Sequence, residues 1–314
     1  MDISIVIVNY NSSAVLQNCL RSIYDSAISV EYEIIVVDNN SSDSRISGMK
    51  SKFLAVNFVE LPKNVGFAAG NNAGIALAKG RYLLLLNPDT IIGKNTIESL
   101  FGRLLSDDSI GIIGPKIFYG DNSLQSRFIP KKVPTLFHLF CEMFYLDKMF
   151  PRSRVMNSYF GANFDYDREQ WVGQICGACL MIRKAVIEKI GLFDERFFLY
   201  FDEADLCLRA ARAGFKMLYF PDASIVHLEG ASSASSSRRR VDNYYMTQLY
   251  FFRKHYGIFQ TFLLYCLNLT GFALRSLTIP LYLAKDRDAR KVLRHFWAFT
   301  YHLNLLNLKE AVTT

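Results

Sequence analysis

The 314-residue chain has no unbroken apolar run long enough to cross a bilayer. Its best candidate, residues 258–284, is interrupted by Gln260, Asn268, Arg275 and Pro280, which argues against a single spanning helix. No basic segment precedes the first apolar stretch. The start, MDISIVIVNYNSS, turns polar after eight residues and is expected to be a buried strand rather than a leader. No Gly-x-Gly-x-x-Gly follows that strand and no Gly-x-x-x-x-Gly-Lys occurs, which argues against dinucleotide dehydrogenases and P-loop NTPases. The early segment VNYNSSAVLQ has no Gly-rich loop with a basic residue, as a nucleotidyltransferase would require. Cysteine is sparse. The six are scattered, which suits reduced thiols in a cytosolic protein. Cys176 and Cys179 form one Cys-x-x-Cys without the partner pair that zinc would need.

What is present describes a folded α/β chain. Hydrophobic residues make up 51% and charged residues 21%, and the length suits one large domain or two smaller ones. The net charge of +7 is concentrated late. From Arg238 onward there are 12 Lys and Arg against 4 Asp and Glu, whereas the first 237 residues are nearly balanced. A basic, aromatic segment suits an anionic membrane surface or a nucleic acid.

Over the first 115 residues strand and helix patterns alternate. ISIVIVNY, YEIIVVD, AVNFVEL and RYLLLL read as buried strands, and AVLQNCLRSIYDSA and GFAAGNNAGIALAKG as helices. Such alternation predicts a mostly parallel sheet with helices on both faces and ligands beyond the strands' carboxyl ends. Asn9, Asn11, Asp38, Asn39, Asn87 and Asp89 are the polar residues at those ends. Residues 120–170 lose the alternation and are expected to form an insertion over the site. ASSASSSRRR (231–240) reads as a linker. Residues 258–284 read as two shorter interfacial helices, followed by the basic helix KDRDARKVLRHFWAF.

The candidate chemistry lies in four places. Asp38 closes VVD, where an acid can recognise a base or cap the next helix. Gly66 and Gly70 in NVGFAAGNN can let backbone approach a nucleotide. Asp89, after LLLLNPD, suits a divalent cation bridging a diphosphate, or is a turn residue. His227 could complete that metal site. The fourth is FLYFDEADLCLRA, where Asp202, Glu203 and Asp205 follow an aromatic run. Those acids serve the start of a helix, or one of them does chemistry.

Together VIVNYNSS, VVDNNSSD, KNVGFAAGNN, LLLLNPDT and FFLYFDEADLCLRAARAGF, in this order over residues 1 to 230, resemble family 2 glycosyltransferases of the GT-A fold. The similarity leans toward bacterial rhamnosyltransferase-like members. The resemblance implies a GT-A domain over 1–230 and a basic, apolar helical region over 231–314. It implies inverting transfer of a sugar from a nucleotide-sugar to a hydroxyl of a glycan or polyprenyl diphosphate-linked glycan. The best-matched donor is dTDP-rhamnose, with UDP-galactofuranose or a UDP-hexose as the alternative. A nucleotide-sugar-binding protein without transfer activity is the reading of another class. Residue by residue, the resemblance makes Glu203 the base with Asp202 second, and Asp38 the base-recognition acid. Asn9, Tyr10, Asn11, Asn64, Gly66, Asn71, Asn87 and Asp89 fall on the donor side. Asp89 and His227 hold Mg²⁺ or Mn²⁺. Asn87 stands where many relatives have the first acid of Asp-x-Asp, and Asp202-Glu203 reverses their order. Trp171 and Arg127 are candidate acceptor contacts. The expected location is cytoplasmic, peripheral at the inner face of a bacterial membrane, with no nucleic-acid partner.

Overall fold

A computed structural model describes residues 1–43, 45–126, 132–157, 159, 164–228 and 237–277, without the side chains of 237–239, 272 and 275–277. Two compact units emerge from it. The first is built on a nine-stranded sheet. Its elements in chain order are β1 (Ile3–Asn9), α1 (Ser13–Tyr24), β2 (Tyr32–Asp38), α2 (Arg45–Lys52), β3 (Val56–Glu60), α3 (Phe67–Leu77), β4 (Tyr82–Leu86), β5 (Thr90–Ile92), α4 (Thr96–Leu105) and β6 (Ile110–Phe118). After α5 (Leu136–Met143) and α6 (Leu146–Met149) come β7 (Gln170–Val172), β8 (Cys179–Arg183), α7 (Lys184–Ile190), α8 (Asp202–Arg212) and β9 (Lys216–His227).

The strand order is β3-β2-β1-β4-β8-β6-β9-β5, and β7 pairs with β9. The strands β1 to β4 run parallel. Every residue of β1 is buried, the signature of a strand covered on both faces. β8 runs antiparallel to both β4 and β6, which makes the sheet mixed. Register positions the site. Asn9 pairs with Asp38 at the carboxyl ends of β1 and β2. Ile7 pairs with Leu86, so the Asn87-Pro88-Asp89 turn leaves the same edge. β5 returns antiparallel to β9 and pairs Thr90 with His227, bringing the residue before Thr90 toward the end of β9.

Glycines let α3 lie close to the sheet. A Cβ on Gly70 would meet Val8 Cγ1 at 2.8 Å, so Gly70 lets α3 pack closely against β1.

The second unit contains α5, α6, residues 199–201 and α9 (Ser237–Leu277). The segment expected to be irregular thus carries two short helices, which cluster with the C-terminal helix and not with the sheet unit. The linker reading changes in the same way. Helix begins at Ser237, and residues 231–236 lie outside the described residues. A kink at Gly257 (φ 84°, ψ 175°) divides α9, because only glycine adopts that backbone readily. Beyond it, residues 258–277 form one helix rather than two, and 278–314, with the expected basic helix, lie outside the described residues. Among the described residues no helix is long and apolar enough to cross a membrane.

Candidate active site

The donor-side residues gather at the carboxyl edge of β1 and β2. Asp38 Oδ1 accepts from Asn9 Nδ2 at 2.9 Å and from Ser41 Oγ at 2.5 Å, and Oδ2 accepts from the Ser41 amide at 3.2 Å. This braces the loop after β2. Asp38 therefore does not cap α2, which starts at Arg45. Asn11, in a left-handed conformation, joins the same loop by accepting from the Ser42 amide at 2.8 Å. Tyr10 is half-buried beside it. Asn39, a neighbour the motif reading did not rank as a site residue, donates to Asn64 Oδ1 and the Gly66 carbonyl, both at 3.0 Å. The chain 63–67 is thereby fastened to the strand end. Asn71 is buried and turns inward, donating to the Phe67 carbonyl at 3.0 Å.

Gly66 has φ +90°, and a Cβ there would stand 2.6 Å from the Phe198 carbonyl oxygen. The next amide, Phe67, donates to that same oxygen at 2.8 Å. The donor-side loop is thus tied to the chain that leads into the three acids.

Asp89 and His227 meet as the strand pairing requires, with Asp89 Oδ1 3.3 Å from His227 Nε2 and both residues buried. Gln125 fixes the ring. Its Nε2 donates to the His227 carbonyl at 2.6 Å, which leaves Oε1 to accept from Nδ1 at 3.1 Å. With Nδ1 as the donor, Nε2 meets the carboxylate either protonated or across a cation, since two lone pairs would repel. A carboxylate oxygen and an imidazole nitrogen so disposed fit a divalent cation. Among the described residues there is no cluster of three His, Cys, Asp or Glu for one. Asn87 is half-buried in the preceding turn, where its carbonyl accepts from Thr90 Oγ1 at 2.7 Å.

The three acids of α8 separate by environment. Asp205 is fully buried and pairs with Arg209 at 2.8 Å, one helical turn on. Arg209 also donates to the carbonyls of Ile190 and Leu192, at 2.8 and 2.9 Å, tying α8 to the end of α7. Asp202 is 3% exposed and its Oδ2 has no hydrogen-bond partner. Burial, reinforced by the neighbouring Glu203 charge, holds its carboxyl well above the usual carboxylate range. Glu203 is only half-buried. Its carboxyl is also raised by desolvation, but hydrogen bonds from its own backbone amide, Asp202 and Gln174 pull it back. Of the two, the more deeply buried Asp202 is raised further, which favours Glu203 as the proton acceptor.

The backbone entering α8 is strained. Tyr200 and Phe201 both take left-handed conformations, φ 71° and 62°, which cost about 1–3 kcal/mol each. Within the second unit Phe201 packs its ring 5.4 Å from Tyr244 and 5.5 Å from Phe251, and Thr247 donates to the Leu199 carbonyl at 3.3 Å.

Trp171 is not core. It is 50% exposed on β7, with the Lys216 ammonium 4.8 Å from its ring centroid. Arg127 lies outside the described residues. All six cysteines are free, and burial pushes the Cys176 thiol up to about 12, against a redox role for Cys-x-x-Cys. Gln125 and Gln174, which orient His227 and Glu203, were missed in the sequence because a lone glutamine carries no spacing signal.

A mixed sheet of this order, with polar residues gathered at its carboxyl edge and acids opening a late helix, is a GT-A glycosyltransferase architecture. The family description "Glycosyl transferase family 2" matches residues 4–191, and the chain belongs to that family. It is similar to N-acetylglucosaminyl-diphospho-decaprenol L-rhamnosyltransferase of Mycobacterium tuberculosis, 25% identical over 73% of this chain and 76% of the relative. Among solved structures it resembles mannosyltransferase PcManGT of Pyrobaculum calidifontis in complex with GDP-Man and Mn²⁺. That match has TM-score 0.59 and 16% identity, over 98% of this chain and 87% of that one. It also resembles GalNAc-T7 with UDP, GalNAc and Mn²⁺, at TM-score 0.56 and 15% identity, over 80% of this chain and half of that one.

Proposed function

We propose that this glycosyltransferase inverts the anomeric centre as it moves L-rhamnose from dTDP-rhamnose to a hydroxyl of a polyprenyl diphosphate-linked glycan. The observation that carries the reading is the acid pair opening α8: Asp202 buried with an unpartnered Oδ2, and Glu203 half-buried beside it. Glu203 takes the acceptor proton as the hydroxyl oxygen attacks the anomeric carbon. The carbon–oxygen bond to the diphosphate breaks with its electron pair leaving on the nucleoside diphosphate. Attack and departure occur on opposite faces, hence inversion. A positioned base contributes roughly 10²–10⁴-fold. Asp38 and Asn9 supply the edge on which the base is recognised, with Asn11, Tyr10 and Asn64 about it. Asp89 and His227 are the residues that would hold Mg²⁺ or Mn²⁺, which when bound offsets the charge developing on the leaving diphosphate. The rhamnosyl donor and lipid-linked acceptor are supported by the name of the mycobacterial relative. A lipid-carried acceptor would require the chain to work at the inner membrane surface.

The test is nucleoside diphosphate release from a panel of dTDP- and UDP-sugars, with a polyprenyl diphosphate-linked N-acetylglucosamine acceptor and Mn²⁺, Mg²⁺ or EDTA. The expected result is release with dTDP-rhamnose that EDTA removes. Release with a UDP-sugar alone would replace the donor. Donor binding without turnover on any acceptor would favour a binding protein.

A further inference from the structure

The second half of α9 is inside-out. Ile258, Phe259, Phe262, Leu263 and Leu274 are exposed, Phe259 by 71% and Phe262 by 58%. At about 100° per residue they fall on one broad face of the helix. The opposite face buries two polar residues alongside Leu264 in the interior of the unit. Thr261 is 3% exposed and Asn268 1%, and Asn268 Nδ2 donates to Gln248 Oε1 at 2.9 Å. A surface helix in water shows the reverse polarity. Contiguous exposed aromatics and leucines mark a surface that has an apolar partner.

We propose that this face docks in the plane of an anionic lipid surface. The helix does not cross it, because no described helix is long and apolar enough. Charge selects lipid over a second copy of the chain. Residues 243–285 contain no Asp or Glu, and the sequence from Arg238 carries 12 Lys and Arg against 4 acids. Two segments so charged repel each other, whereas the acidic headgroups of a bilayer attract them. Apolar side chains then enter the boundary of headgroup and acyl chain, about 5–10 Å deep. The inference deepens the reading of a lipid-carried acceptor but stands on its own observations, and its test reads no sugar transfer.

The experiment is co-sedimentation of the full chain with phosphatidylcholine vesicles, with and without phosphatidylglycerol. The expected result is binding that needs phosphatidylglycerol, weakens with salt, and falls at least tenfold in Phe259→Ser/Phe262→Ser. Both residues are exposed, and unchanged circular dichroism checks the fold. As a second measurement, Phe262→Trp should shift its emission to the blue on vesicle addition. Absence of vesicle binding, or equal binding by the double variant, overturns the proposal. A dimer in sedimentation velocity that the double variant abolishes would make the face a self-interface and overturn it too.

Discussion

His227 Nε2 stands 3.3 Å from Asp89 Oδ1, and Gln125 holds the far side of the ring at 3.1 Å. Asp89→Ala or His227→Ala should raise the Mn²⁺ concentration for half-maximal transfer at least tenfold, about 1.4 kcal/mol. Gln125→Ala should do so less, since Gln125 acts on the metal only by orienting the His227 ring. A metal titration unchanged in both Asp89→Ala and His227→Ala would remove the ligand role.

Glu203→Gln should lower transfer by roughly 10²–10⁴-fold while leaving donor binding within a few-fold by calorimetry. Asp202→Asn keeps a donor beside Glu203 and should retain most of the rate. If Asp202→Asn proved the more damaging, the base would be Asp202.

The raised Glu203 carboxyl sets the pH dependence. A base must be ionised, so kcat/KM should rise with pH through a value above the ordinary 4.5 of a glutamate. Gln174→Leu removes a donor to that carboxylate and should move the rise to higher pH. A profile of Gln174→Leu superimposable on the wild type would deny the amide this role.

Stability runs the other way. Asp202 binds its proton more tightly folded than unfolded, so its contribution is full below the unfolded value of 3.8 and is lost as pH rises through the folded value. The slope is about 1.36 kcal/mol per pH unit over that window. Asp202→Asn should flatten that fall in urea denaturation midpoints and be the more stable protein at neutral pH. Parallel curves for the two proteins would mean that Asp202 is ionised in the fold.

Gly66→Ala places a methyl 2.6 Å from the Phe198 carbonyl at φ +90°. It should destabilise by about 1–3 kcal/mol. In a chain of this size that lowers Tm by several degrees. Its rate should fall further than its stability explains, because the displaced segment leads into Asp202. A fully active Gly66→Ala would separate the loop from the acids.

The sequence by itself determined the parallel half of the sheet, the polar residues on its edge and the acids of α8. Those signals are local: unbroken β-branched runs make strands buried on both faces, and a strand's last residue is polar where the sheet ends. Tertiary structure alone decided the rest. It brought Asp89 to His227 through the β5–β9 pairing and set Gln125 and Gln174 behind the reacting groups. It packed Gly70 against Val8. It also buried Asp202 more deeply than Glu203, a difference that belongs to the packed interior and not to the order of Asp and Glu in the chain. The apolar face of α9 belongs to this second set as well. The sequence read this stretch as interfacial, and the inward packing of Thr261 and Asn268 shows which side of the helix is exposed.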